Sequence, residues 1–401
     1  MDSRSRIRVD GRSVFSDVQH VVLFCARIYN LCDGAVSSGE SVKRPKLFIP
    51  GPVEVSDEVL ARMATPPVWH RSEEFSRLYS GIVEKLKRVL YTKGDVFVAT
   101  SSSTGVMEAA IRNCVKDRVL CFVNGAFSER WAKIARLCGK RVEVFEVEWG
   151  RAIKPEHVAD ALRRIRPDAV CLVHNETSTG VMSPLYEIAD VLKDYPDVCF
   201  LVDAVSSQAA VKIEVDRLGI DVCLAGVQKG YALPPGIAVF SVSEKALAKA
   251  KEVDGKGFYF NFELFHERAK DGQTPTTPSV PHLFALDFQL DRILSEGLDE
   301  RFERHMRLAE RCRRWALERG FTLFPEPGYE SITLTTINNT LNIDFASLDA
   351  FLKRRGFVIS GGYGKLEGHT FRIGHMGDCT TADLDELLVA FDDYLAQANL
   401  L

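Results

Sequence analysis

From Phe75 onwards the apolar positions Leu78, Tyr79, Ile82, Val83, Leu86, Val89 and Leu90 recur at spacings of three, one and four. That is the period of a helix burying one face, and Ser72 stands before it as an N-cap. Short apolar runs follow at residues 95–100, 118–123, 141–147, 169–174, 198–203 and 221–225. These runs lack strict alternation between apolar and polar, which is what strands covered on both faces produce. Helical patterns at 131–138, 155–166 and 184–193 lie between them and supply the crossovers that parallel strands need. The predicted architecture is α/β with a mainly parallel sheet. In such sheets ligands bind beyond the carboxyl ends of the strands, so chemistry is expected just after each strand.

Beyond Pro281 the texture changes. Two long helical patterns, at 282–296 and 299–319, each end at a glycine, Gly297 and Gly320, which read as helix stops. Short strands are predicted at 331–337 and 340–343, a helix at 347–355, a strand at 371–373 and a final helix to about 398. This is an α+β tail. With 401 residues the chain exceeds one comfortable core, and the division expected is a large domain over 46–280 and a smaller C-terminal domain with its linker helix over 281–401. Residues from about 46 to 65 are candidates to pack with the smaller one. Within the first 45 residues Arg4, Arg6, Arg8 and Arg12 precede a short apolar patch, as in a targeting peptide. Asp2, Asp10 and Asp17, and the lack of a small-residue cleavage site, argue instead for a disordered extension or an upstream mis-start.

Composition narrows the function classes. A net charge of −4 gives no basic field, so nucleic acid is not an expected partner. No apolar run approaches the roughly 20 residues of a membrane-spanning helix, so no membrane partner is expected either. Ten cysteines show neither C-x-x-C pairs nor zinc-ligand spacing, so no metal is expected and a reducing cytoplasm fits best.

Four strand ends carry candidate chemistry. The 95–100 run leads into Ser101, Ser102, Ser103, Thr104 and Gly105 ahead of a helix, where hydroxyls and free N–H groups make an anion site. The plainer reading is an over-supplied cap, since neither a P-loop nor a G-x-G-x-x-G fingerprint is present. The 198–203 run ends in Asp203, either a turn residue or a carboxylate held for a cation. The 169–174 run opens a polar cluster from His174 to Thr179. The 221–225 run leads to Gly226, Gln228, Lys229 and Gly230. A lysine directly behind a buried strand is not an ordinary solvated one, and desolvation there leaves a nucleophilic amine. Each has a bland explanation alone. In this order they are the parts that pyridoxal 5′-phosphate (PLP) requires: a hold on its phosphate, a carboxylate for its ring nitrogen and an amine for its aldehyde.

Gly51 and Pro52, with the stretches 70–75, 124–131, 176–180, 202–207, 226–230 and 234–236, resemble the class V aminotransferases. The resemblance is closest to the alanine-glyoxylate and serine-pyruvate branch and covers about residue 47 to the C-terminus. It implies a PLP-dependent transferase of fold type I, like aspartate aminotransferase. It makes Lys229 the Schiff-base lysine and Asp203 the carboxylate on the pyridinium nitrogen, the two catalytic residues. Gln228, Ser103 and Thr104 would hold the phosphate, Thr177 the ring oxygen, and Phe127 would stack on the ring. Thr274 and Thr277 resemble the loop by which a neighbouring subunit reaches the phosphate, which implies a homodimer. Arg372 matches the arginine that grips the substrate α-carboxylate. Many relatives carry glycine at the position of Ser102 or Ser103, and a shorter residue than Tyr231. Related cysteine desulfurases carry histidine where this chain has Gln228, which weighs against desulfuration. Trp69, His70, Tyr363 and His375 are candidates to line the side-chain pocket.

The function expected from the resemblance is transfer of an amino group from alanine or serine to glyoxylate or pyruvate, with Lys229 as nucleophile and base in a ping-pong cycle. The alternatives are another PLP-dependent reaction on a small amino acid, as in a lyase or racemase, and a non-catalytic subunit that keeps the fold.

Overall fold

The computed structural model describes residues 44–400. The expected N-terminal extension therefore lies outside the described residues, save for its last two. In chain order the strands are β1 (Lys46–Phe48), β2 (Asp95–Ala99), β3 (Arg118–Val123), β4 (Arg141–Glu146), β5 (Ala169–Val173), β6 (Asn175–Glu176) and β7 (Val181–Met182). They continue with β8 (Cys199–Asp203), β9 (Val222–Gly226), β10 (Ala238–Val242), β11 (Thr322–Leu323), β12 (Leu334–Asn338), β13 (Phe357–Gly361) and β14 (Thr370–Gly374).

Seven strands form one sheet in the order β2-β10-β9-β8-β5-β3-β4. The β8–β9, β5–β8, β3–β5 and β3–β4 pairs are parallel, while β10 runs antiparallel to both β2 and β9. Successive side chains point to opposite faces of a strand. In β8, Phe200 and Val202 join one apolar cluster, with Phe75, Ile82, Leu86 and Leu286, while Cys199 and Leu201 join the other, with Ile111, Trp131 and Phe262. Both faces are dry. That is why the strands read as unbroken apolar runs, and each fully buried Leu or Phe contributes about 1.5–3 kcal/mol.

The predicted helix behind Ser72 spans Glu73–Leu90, with Ser72 Oγ accepting from Phe75 N at 3.2 Å. Further on, helices Val280–Glu296 and Leu298–Glu318 break at Gly297, whose φ of +88° suits glycine. The second packs on a five-stranded sheet, β1-β13-β14-β12-β11, over a core that includes Trp315, Phe371 and Phe391. β1 pairs with β13 in parallel, so the segment at Lys46 belongs to this sheet. One predicted strand is absent. Residues 340–343 form a turn, with Asn342 at φ +51° and the Asn339 side chain bonded to both the N–H and the carbonyl of Ile343. The strand that fills the sheet is β13, which the apolar pattern left unread. Among the described residues no helix is long and apolar enough to cross a membrane.

Candidate active site

The carboxyl ends of β2, β3, β5, β8 and β9 lie on one edge of the large sheet, because β10 alone is reversed. β9 delivers Gln228 and Lys229 to that edge. Their loop is pinned from two sides. Val53 N donates to Gln228 O at 3.0 Å, and Gly51 lies so close that a Cβ there would come within 2.9 Å of Lys229 Cγ. The buried Arg301 donates to Gly230 O at 2.7 Å and Ala209 O at 2.8 Å, tying the loop to helix Leu298–Glu318. A Cβ at Gly230 would meet Gln208 O at 2.2 Å, so only glycine fits.

Lys229 is only 7% exposed. Its Nζ donates to Ser206 Oγ at 3.1 Å and Thr177 Oγ1 at 3.4 Å and lies 5.6 Å from the Phe127 ring centroid. The two hydroxyls also bond one another. Burial lowers the amine to a pKa of about 8, with Asp203 opposing and Arg372 assisting the fall. Asp203 closes β8. Its Oδ1 accepts from Val205 N at 2.9 Å, and burial raises its pKa to about 6 against the pull of that bond and of Lys229. Burial thus moves both the amine and the carboxylate from their ordinary values towards neutral pH.

The Lys229 shift has a consequence for stability. Between about 8 and the ordinary lysine value of 10.5 the unfolded chain binds a proton that the folded apoprotein does not, so stability rises with pH across that window. Below about 8 the charged amine costs up to about 3 kcal/mol. Lys229→Met apoprotein is therefore expected to be more stable than wild type at pH 7, with the gap closing towards pH 10.5. Urea unfolding across that range checks it; a less stable variant, or a gap independent of pH, would count against the burial account.

Phe127 lies in the first turn of helix Ala126–Leu137. The turn is held by Glu176, a fully buried carboxylate that accepts from Ser128 N at 2.8 Å, Ser128 Oγ at 3.0 Å and Phe127 N at 3.3 Å. An anion at a helix N-terminus is favoured by its free N–H groups and dipole. Sequence reasoning names neither Glu176 nor Ser206 as a site residue: Glu176 reaches the helix start 48 and 49 positions away and Ser206 reaches Lys229 23 positions away, beyond any local pattern.

Ser103 and Thr104 open helix Ser103–Cys114, whose N-cap Ser102 makes no side-chain capping bond. The Gln228 side chain folds over Gly226, where a Cβ would lie 2.4 Å from Oε1. Thr177 and Arg372 meet directly, since Arg372 Nη1 donates to Thr177 O at 3.1 Å and Nε to Gly361 O at 3.1 Å. Arg372 is 7% exposed, and the Tyr363 ring lies 5.5 Å from its guanidinium and 5.4 Å from Phe127. Thr274 and Thr277 stand apart from this group. Thr274 Oγ1 donates to Thr276 O within its own loop, Thr277 is exposed, and Arg71 clamps the loop through Gln273, Thr274 and Pro275. Of the pocket candidates, Tyr363 faces the group, Trp69 is 69% exposed and His70 is half-buried. His375 is fully buried with Nε2 on Thr335 Oγ1, and burial pushes it down to about 3.

The donor set fits PLP. It offers a nucleophilic amine for the aldehyde, a carboxylate for the ring nitrogen, hydroxyls for the ring oxygen, an aromatic face and free N–H groups at a helix start. Fold and site together define a PLP-dependent transferase of fold type I. More narrowly, the chain belongs to the class V aminotransferases: the Aminotransferase class-V family model matches residues 55–377. It is similar to an uncharacterised aminotransferase of Methanocaldococcus jannaschii, 41% identical over 83% of this chain and 88% of that protein. It is also similar to the serine–glyoxylate aminotransferase of Methylorubrum extorquens, 34% identical over 85% and 88%. Among solved structures, alanine–glyoxylate aminotransferase from Nostoc sp. superposes with a TM-score of 0.83 at 29% identity, covering 90% of this chain and 98% of that one. The chain is thus a PLP-dependent aminotransferase.

Proposed function

We propose that this enzyme moves an amino group from a small α-amino acid, alanine or serine, to glyoxylate or pyruvate, with Lys229, Asp203 and Arg372 carrying the chemistry. One observation carries the reading: Thr177 bonds Lys229 through its hydroxyl and Arg372 through its carbonyl. The group that handles the amino end and the group that grips the carboxylate end are thereby fixed to a single residue. An α-amino acid has its two charged ends in that relation. The rings of Phe127 and Tyr363, 5.4 Å apart, crowd the same space and favour a short side chain.

PLP, when bound, supplies an electron sink for the bonds at the substrate Cα. Lys229 would hold it through Nζ, and the lowered pKa of that amine suits it to move a proton at the substrate Cα. Ser206 and Thr177 receive the freed amine and keep it in place. Asp203 would keep a proton on the ring nitrogen, and Ser103, Thr104 and Gln228 would hold the phosphate. Arg372, oriented by Gly361 O and Thr177 O, has guanidinium N–H groups left for a carboxylate fork. The exposed Thr277 and the loop clamped by Arg71 support service to the cofactor phosphate of a second copy in a homodimer. The unpaired cysteines among the described residues accord with a cytoplasmic setting.

A donor screen with glyoxylate and pyruvate tests the substrate assignment: alanine or serine is expected to give the highest kcat/KM, and turnover only with dicarboxylic or aromatic donors would refute it. Arg372→Gln is expected to lower kcat/KM for the amino donor by roughly 100-fold, mainly through KM, since it removes a charged fork that binds the substrate in every state. Steady-state kinetics at saturating acceptor reads this directly, and an unchanged KM would remove Arg372 from the carboxylate site.

A further inference from the structure

Helix Ala126–Leu137 carries Phe127 and, almost one turn on, Arg130, whose guanidinium carbon lies 4.9 Å from the Phe127 ring centroid. Arg130 Nη1 donates to Thr104 Oγ1 at 3.3 Å, which holds the cation against the first turn of helix Ser103–Cys114. Among the described residues no direct ion pair explains this position. Arg130 is half-buried; it bonds the Thr104 hydroxyl and lies over the Phe127 ring, and among the described residues no carboxylate pairs with it directly, its charge reaching Asp203 and Lys229 only at longer range. An arginine has five N–H donors and cannot give up its charge, so most of its donor capacity is left for a ligand.

The groups assigned to the cofactor phosphate, Ser103, Thr104, Gln228, Thr274 and Thr277, are all neutral. A phosphate monoester brings about two negative charges at neutral pH, and a helix N-terminus offers only about half a positive charge. An anion drawn into a partly buried site needs a fuller balance. We infer that Arg130 is the cation that balances the cofactor phosphate, with Thr104 fixing its orientation and its remaining N–H groups donating to a phosphate oxygen. This deepens the proposed function and rests on PLP occupying the Lys229 pocket. The side-chain carboxylate of a dicarboxylic donor is the other anion an arginine here could take. The bond to Thr104, with Arg372 tied instead to Thr177, favours the phosphate.

The test titrates apoprotein with PLP and with pyridoxal, which has the same ring and aldehyde but no phosphate, following quenching of intrinsic fluorescence. In Arg130→Gln the Kd for PLP is expected to rise on the order of 10- to 100-fold while that for pyridoxal stays unchanged. Arg130→Lys, which keeps the charge and loses the fork, should fall between and covers the case in which the glutamine variant fails to fold. Equal losses for both ligands would mean that Arg130 only orients Phe127, and would overturn the inference. So would unchanged affinity for both, or a change confined to the KM of dicarboxylic donors. A wild-type apoprotein that bound neither ligand would overturn the PLP reading itself.

Discussion

Lys229→Ala is expected to lower kcat by roughly four orders of magnitude, because the proposed assignment makes one side chain both the anchor of the cofactor and the base at Cα. Its environment supports both tasks. An amine whose pKa burial lowers to about 8 has a larger proton-free fraction at neutral pH than a solvated lysine. Ser206 and Thr177 hold it without neutralising it, since hydroxyls donate and accept but carry no charge. The variant should still bind PLP through the ring and phosphate contacts. Absorbance spectra of wild type and variant would then differ in the visible band that depends on the lysine linkage, while the apoproteins melt alike or the variant melts higher. A variant with near wild-type turnover would move the chemistry to another residue.

Asp203→Asn is the second large effect, with an expected fall in kcat of about 100- to 1,000-fold. The wild-type carboxylate, pushed up to about 6 by burial, is largely ionised at neutral pH and, in the proposed assignment, would face the ring nitrogen and stabilise its cationic form. Asparagine has the same shape and can keep the Val205 bond through its carbonyl, so folding should survive. What it loses is the charge that holds a proton on the ring nitrogen. The loss should fall on kcat rather than on the KM of the amino donor, which the proposal assigns to Arg372. Equal loss in both would point to a displaced ring instead.

The outline of the seven-stranded sheet is legible because two apolar faces leave a simple signature. Phe200 and Leu201 point into different cores, so β8 reads as continuous, and Asp203 at its end stands out against it. Lys229 stands out in the same way behind β9. What the sequence hides is long-range. The reversal of β10 leaves no trace in composition, because an antiparallel strand buried on both faces has the same residues as a parallel one. The turn at 340–343 reads as a strand because Leu341 and Ile343 alternate with polar neighbours, and only the Asn339 side-chain bonds decide otherwise. Glu176 caps a helix that begins 50 residues earlier, and Arg130 meets Thr104 across two helices. No local period carries such pairs, and the motifs around them gave residue types without partners.

The most direct test of the central claim is a single turnover. Holoenzyme is mixed with excess alanine or serine and no acceptor, and both the 2-oxo acid released and the form of the recovered cofactor are measured. The account predicts one 2-oxo acid per bound cofactor, the cofactor recovered in its amine form, and regeneration on adding glyoxylate or pyruvate. Continued release without acceptor, or inversion of the amino acid with no 2-oxo acid formed, would contradict it.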